Sequence, residues 1–312
     1  MFVAAFARSL CHSFFRSQER IYGAPMSHPI DQIGIVDLMI GFPKKHAADH
    51  YQFLAGAVKD AESKTMAMPA QYMFTEVPSD VQADTDTVAM LIADMDRCGI
   101  ARGMVHMGSD ESVRALRNHP DRIIGCVDAD PNDIAGAIRR IRRAHAEWGI
   151  KAVTSFPSGC LPQVSVSDAR YYPLYATCVE LDLPIIINAG VPGPRVPMLC
   201  QHVEHFDQVC YDFPDLRIVM RHGAEPWQEL AVKLMLKWPG LYYMTSAFAP
   251  KYFPREIVDY ANSRGVNKVM YAGYYPMGLS LDRIVAELRE VPFRDHVWPR
   301  FLRDNAVDVF RL

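Results

Sequence analysis

The chain has 312 residues, half of them hydrophobic and 22% charged, a globular composition with enough length for a large core. A net charge of -3 creates no field that would draw in nucleic acid or an anionic membrane, so both are set aside as partners. Seven cysteines, odd in number and without a C-x-x-C pair, describe a reduced, cytoplasmic chain whose thiols pack as small hydrophobes.

Residues 1–25 stand apart from the rest. Met1 to Arg16 is apolar with Arg and Ser and without acids, which is transit-peptide-like in composition, yet Arg8 and Arg16 interrupt it too early for a membrane span. A second methionine, Met26, precedes Ser27-His28-Pro29-Ile30, where a globular start looks normal. The expected division is an N-terminal extension, 1–25, and one domain, 26–312.

From Ile33 short apolar runs alternate with amphipathic stretches. Ile33 to Asp37 reads as a buried strand, followed by an insertion with helical pieces from His46 to Lys59. Thr87 to Arg97 carries Val88, Leu91, Ile92 and Met95 on one helical face, Cys98-Gly99 stops it, and Ala101 to Met107 returns as a strand. Ser112 to Asn118, Asn132 to Ala146 and Asp168 to Leu181 read as helices; Ile123 to Val127, Ile150 to Val153 and Leu183 to Ile187 read as strands. Leu216 to Met220 is a strand and Gln228 to Lys237 a helix. Leu241 to Met244 and Lys268 to Tyr271 complete the strands, with a helix at Pro254 to Ala261 between them and terminal helices from Leu281. About eight strands alternating with helices predict an α/β fold, a (β/α)8 barrel. A doubly wound open sheet is the alternative, but no G-x-G-x-x-G follows the first strand.

In a barrel, chemistry sits where strands become helices, at the C-terminal mouth. Arg221-His222-Gly223-Ala224-Glu225-Pro226-Trp227 occupies such a junction: Gly223 permits a tight turn and Pro226 suits a first helical turn. The other strand ends offer Asp37, His106, Asp128, Asp130, Lys151, Thr154, Ser155, Asn188, Thr245, Ser246, Tyr274 and Tyr275. Strand alternation sends Arg221 to the face opposite His222, so it either enters the mouth or lies under a helix in an ion pair. The pairs His46/His50 and His202/His205 have helical spacing and read as solvated surface histidines, His46 and His50 with the further chance of belonging to a lid over the mouth. Between Gly56 and Ser79 the run Ala67-Met68-Pro69-Ala70-Gln71-Tyr72-Met73-Phe74 forms either an adaptable pocket wall, with Tyr72 against substrate, or glue between insertion and barrel.

The run His222-Gly223-x-x-Pro226-Trp227, preceded by Asp212-Phe213-Pro214-Asp215-Leu216-Arg217-Ile218-Val219, resembles the amidohydrolase-related metal-dependent hydrolases and decarboxylases, the group that contains aminocarboxymuconate-semialdehyde decarboxylase. Ser246 with Pro250-Lys251-Tyr252-Phe253, Lys268 to Pro276, and Asp304-Asn305-Ala306-Val307 match the family in order. The resemblance implies two metal ligands from a first-strand Asp-x-His-x-His, which here reads Asp37-Leu38-Met39-Ile40-Gly41. It implies a fifth-strand histidine, here Asn188, and an eighth-strand aspartate, here Tyr274. Only the sixth-strand histidine remains, as His222. Methionine, glycine, asparagine and tyrosine do not replace imidazoles and a carboxylate around a zinc-like ion, so no metal and no other cofactor is expected.

Without an ion, His222 is the expected general acid or base. Tyr274 and Asn188 are expected to donate to a developing oxyanion. Arg221, Lys251, Tyr72, Tyr275 and Ser246 are expected to hold the substrate. Three functions stay open: a metal-independent enzyme breaking a C–C or acyl bond in a small carbonyl-bearing acid, a silent barrel binding a metabolite or protein, and a metallohydrolase using Asp37, His106 and Glu225. The resemblance implies a homodimer, and the aromatics from Val291 to Phe301 are expected to form its interface.

Overall fold

A computed structural model describes residues 28–68, 70–73, 80–82 and 84–312. Eight parallel strands follow one another around a single sheet in chain order. They are β1 (Ile35–Asp37), β2 (Ile100–His106), β3 (Ile123–Asp128), β4 (Ala152–Ser155), β5 (Ile185–Asn188), β6 (Ile218–Arg221), β7 (Leu241–Met244) and β8 (Val269–Met270). Helices lie between them: α1 (Thr87–Arg97), α2 (Asp110–Asn118), α3 (Ile134–Trp148), α4 (Tyr172–Glu180), α5 (His205–Asp212), α6 (Gln228–Lys237), α7 (Arg255–Ala261) and α8 (Leu281–Leu288). The chain is a (β/α)8 barrel, as the alternation predicts.

Strand starts lie two residues later than expected at β1, β4, β5 and β6, because apolar entry residues such as Leu183 and Leu216 are buried ahead of the ladder. The barrel closes just past the ends of β1 and β8, where Tyr274 N–H donates to Met39 O at 3.0 Å and Gly41 N–H to Tyr275 O at 2.9 Å.

Two apolar layers follow from the period-2 alternation of strands. Ile35, Ile100, Ile185, Ile187, Ile218 and Met220 point outward to the helices. Val36, Met104, Ile124, Cys126, Ala152, Ile186, Val219, Met244 and Met270 fill the barrel interior. On β2 to β7 the next inward position, two residues on, is the first not covered by this plug. On β2 to β7 in turn it belongs to His106, Asp128, Thr154, Asn188, Arg221 and Ser246, so one parity rule lays a polar ring on an apolar floor.

Several expectations change here. Phe293, Trp298 and Phe301 are interior, packed edge-on and tilted against one another at 4.8 to 6.3 Å, and so form no exposed interface. His202 packs on the Trp227 ring at 3.9 Å and His205 Nδ1 meets Ser167 Oγ at 3.0 Å, so this pair is engaged rather than free in solvent. Among the described residues no helix is long and apolar enough to cross a membrane. The N-terminal extension, Pro69, Phe74 and Pro78 lie outside the described residues.

Candidate active site

A cavity of about 730 Å3 opens at the C-terminal mouth of the barrel. Its floor holds His106, Asp128, Asn188 and Arg221 of the polar ring, and its walls combine apolar side chains, Met39, Phe42, Phe53, Met107, Phe156 and Phe248 among them, with polar ones such as Lys44, Asp49, Glu111 and Asp130. Residues of the segment Ala47–Leu54, including His50, Tyr51 and Phe53, line it from the insertion after β1. Burial and the neighbouring Lys44 push His50 down to about 4, so this imidazole is neutral near pH 7.

The β6 turn solves a problem that alternation poses. Arg221 obeys the parity rule and faces inward; His222 would then face out. Instead His222 has φ of 68°, the left-handed region that breaks the alternation, and both side chains line the cavity. Gly223 follows at φ 89°, where a Cβ would stand 2.5 Å from the Phe248 ring. The turn is tied to the β5 loop by Ala224 N–H to Ala189 O at 3.2 Å and Val191 N–H to Glu225 O at 2.7 Å. Pro226 lies in this turn and not in the helix, which begins at Gln228.

Arg221 is buried, and its Nε donates to Asn188 Oδ1 on the neighbouring strand. Among the described residues that is its one hydrogen-bond partner, which leaves the two terminal guanidinium nitrogens for the cavity. Ser246 Oγ accepts the His222 backbone N–H at 3.2 Å and lies 2.8 Å from Nδ1. With the serine hydroxyl given to Nδ1, the imidazole carries its proton on Nε2. Burial first, and then the Arg221 charge, hold His222 well below the usual histidine range, so the ring is a neutral N–H donor near pH 7. Tyr274, at φ 81°, packs edge-on against it at 5.3 Å and bonds to Tyr51; burial raises its phenol, which stays protonated.

Across the mouth stands a second polar group. His106 Nδ1 lies 3.1 Å from Asp128 Oδ2, and Thr154 Oγ1 donates to Asp128 Oδ1. Burial works against an imidazolium here, but the Asp128 carboxylate outweighs it and holds His106 well above the usual range. Enclosure within the barrel mouth would by itself raise Asp128, although its side chain is open to the cavity; His106, Thr154 and Arg221 together pull it well below the usual carboxylate range. From sequence both are strand ends, His106 offered only as a ligand in the metallohydrolase alternative and Asp128 given no role. The signal that finds them is parity: each lies two residues beyond an interior plug residue, Met104 or Cys126.

Asp37 sits at the seam. Its carboxylate is fully buried, Oδ1 accepting Met39 N–H and Gly273 N–H at 2.9 Å each, while Oδ2 is enclosed beside Gly273 and the Tyr271 hydroxyl. Burial pushes it up to about 7, against the opposing pull of these N–H groups and Tyr271. It does not line the cavity.

The remaining expected substrate contacts lie elsewhere. Tyr275 bonds Asp94 of α1 at 2.8 Å, the side of the strand away from the mouth. Lys251 is half exposed and faces Glu287 at 3.8 Å. Tyr72 is exposed and donates to Gly193 O, while its neighbours Ala70 and Met73 reach the cavity wall. Ser246 acts on His222 rather than lining the cavity. His222, Tyr274, Asn188 and Arg221 do converge.

The positions at which the family resemblance places metal ligands, Met39, Gly41, Asn188, His222 and Tyr274, all border the cavity. The donors there are a thioether, no side chain, an amide oxygen already used by Arg221, a neutral imidazole and a protonated phenol. Beside a buried guanidinium, this set does not fit Zn2+ or Mn2+, which require charged oxygen or several free nitrogen donors. Among the described residues no group of three or more His, Cys, Asp or Glu is arranged to hold an ion.

Residues 46–312 match the amidohydrolase family. No curated protein matches the chain in sequence. Among solved structures, an uncharacterised TIM-barrel protein from Bordetella bronchiseptica is similar at 19% identity and TM-score 0.69, over 89% of this chain and 98% of that one. A 5-carboxyvanillate decarboxylase from Novosphingobium aromaticivorans, in complex with manganese and 4-hydroxy-3-methoxy-5-nitrobenzoic acid, is similar at 17% identity and TM-score 0.62, over 90% and 96%. A 2,6-dihydroxybenzoate decarboxylase from Rhizobium is similar at 13% identity and TM-score 0.62, over 89% and 99%. At these identities the likeness is one of fold.

Proposed function

The chain belongs to the amidohydrolase family, and on that premise we propose that it is a carbon–carbon lyase releasing carbon dioxide from a small carbonyl-bearing acid without a metal ion. The observation that carries this reading is Arg221: a buried guanidinium that lines the cavity, bonded among the described residues through Nε to Asn188 alone, with methionine and phenylalanine side chains in the same lining. In decarboxylation, negative charge leaves the carboxylate and appears on the oxygen of the electron sink. Catalysis follows when cationic and N–H donors stand at the sink oxygen, where charge develops, and apolar groups stand where neutral carbon dioxide departs.

Arg221 and the Nε2–H of His222 suit the first requirement, and the methionine and phenylalanine walls suit the second. Held neutral, His222 serves as a hydrogen-bond donor in this scheme more readily than as the proton shuttle expected from sequence. The structural neighbours named for decarboxylation act on benzoates, which makes hydroxybenzoates and β-keto acids the substrates to try.

The test incubates the purified full chain with a panel of such acids and follows carbon dioxide release with and without EDTA. Turnover is expected on at least one acid, indifferent to the chelator, with Arg221→Met lowering kcat/KM by roughly 10²- to 10³-fold, as loss of an oxyanion donor does. Saturable binding with no carbon dioxide would make the protein a binding barrel. Turnover lost with EDTA and restored by Mn2+ would overturn the metal-free part.

A further inference from the structure

We propose that His106, oriented by Asp128 and Thr154, is the residue that protonates the carbon left behind by the departing carboxylate; this inference rests on the decarboxylase reading. Its geometry is independent of the β6 turn. In an eight-stranded barrel in chain order, β2 and β6 stand four strands apart, on opposite sides of the mouth. His106 at the end of β2 therefore faces a substrate whose sink oxygen is held by Arg221 at the end of β6. Adjacent strands supply a chain of contacts behind the ring. Thr154 on β4 donates to Asp128 on β3, and the other oxygen of Asp128 lies 3.1 Å from His106 Nδ1. Nδ1–H bound to a carboxylate leaves Nε2 as the atom that exchanges protons, the arrangement a base–orienter pair requires. Thr154 and Asp128 are positioning residues; His106 alone would touch the reacting carbon.

The steps balance without an oxidant or reductant. The bond between the carboxylate and the α-carbon breaks, its electron pair passes into the carbonyl to form an enolate, and carbon dioxide leaves. The imidazolium gives its Nε2 proton to the enolate carbon, the carbonyl re-forms, and the neutral imidazole takes a proton from water. One carboxylate and one proton become one C–H bond and one carbon dioxide.

The charged and titratable groups that act on His106 are Asp128 and Cys126 on β3, and the cavity it faces is also lined by Glu111 on α2, Asp130 after β3, Arg221 and His222 at β6, and Lys44, Asp49 and His50 of the insertion. Of these, Asp128 is the charged group in contact with the ring, and the Cys126 thiol also touches it.

The experiment compares wild type, His106→Gln and Asp128→Asn on the acid that wild type decarboxylates, with the product's affinity measured for each. His106→Gln is expected to lower kcat by roughly 10²- to 10⁴-fold, the range of a lost general acid, while product binding stays within a few-fold and certifies the fold. Asp128→Asn is expected to move the basic limb of the kcat–pH profile to lower pH, since the group that keeps His106 protonated is gone. If His106→Gln fails to bind product, that shift decides alone. A wild-type kcat in His106→Gln, or an unmoved limb in Asp128→Asn, overturns the role of His106 while decarboxylation stands. Absence of carbon dioxide release from wild type overturns both readings together.

Discussion

Two aspartates end barrel strands and have opposite fates. Asp128 ends β3 on the inward parity, opens into the cavity and is held as a carboxylate by His106, Thr154 and Arg221. Asp37 ends β1 on the outward parity, meets two backbone N–H groups at the closing seam, and is pushed up to about 7 by burial. A strand-end carboxylate is thus not a site by position. The parity of its strand decides whether it reaches the cavity, and the charges it meets decide whether it stays ionised.

The same exchange, Asp→Asn, separates the two. At residue 37 the folded group holds a proton up to about 7, against 3.8 in the unfolded chain. The native state binds more protons across that window, so wild-type stability falls as pH rises from about 4 to about 7. The loss is as much as roughly 4 kcal/mol at 1.36 kcal/mol per unit. Asp37→Asn is expected to abolish that slope in urea unfolding series, with carbon dioxide release unchanged; a slope that persists in the variant would place the titration elsewhere.

The seam is also tightly filled. A Cβ on Gly273 would stand 2.5 Å from Asp37 Oδ2 and 2.7 Å from the Tyr271 hydroxyl. Gly273→Ala is expected to cost about 1–3 kcal/mol in urea midpoint analysis. Tyr275→Phe removes the hydroxyl bonded to Asp94 outside the mouth and should cost about 1 kcal/mol with kcat/KM unaltered. A large drop in kcat/KM would return Tyr275 to the site. The smallest stability effect is expected at Asp128, whose side chain is 70% exposed to the cavity. Asp128→Asn should move stability by less than about 1 kcal/mol, so that its consequence is read in the pH profile alone.

Much of the architecture was legible because alternation of apolar runs is a strong signal: α1, α6 and β7 have the bounds that pattern alone assigns. Parts of the site were legible in the same way, since His222, Asn188, Arg221 and Tyr274 follow strands whose ends are plain. What escaped were side-chain directions. The left-handed φ of His222 is not encoded in its residue type, so Arg221 could not be placed in advance. Tyr275 and Lys251 lie near strand ends in sequence, yet the turn after β8 and the 3-10 turn Pro250–Tyr252 aim them at α1 and α8. The aromatics near the C-terminus read as surface because their partners, including His28, lie far away in sequence.

His222 occupies backbone that glycine would accept at no steric cost, next to a glycine that already uses it. A side chain in that region carries a local penalty of about 1–3 kcal/mol, which the Ser246 contact and the Tyr274 edge must offset. The turn therefore doubles as a balance: the stability difference between wild type and a His222→Gly chain weighs the imidazole's contacts against the conformation they hold in place.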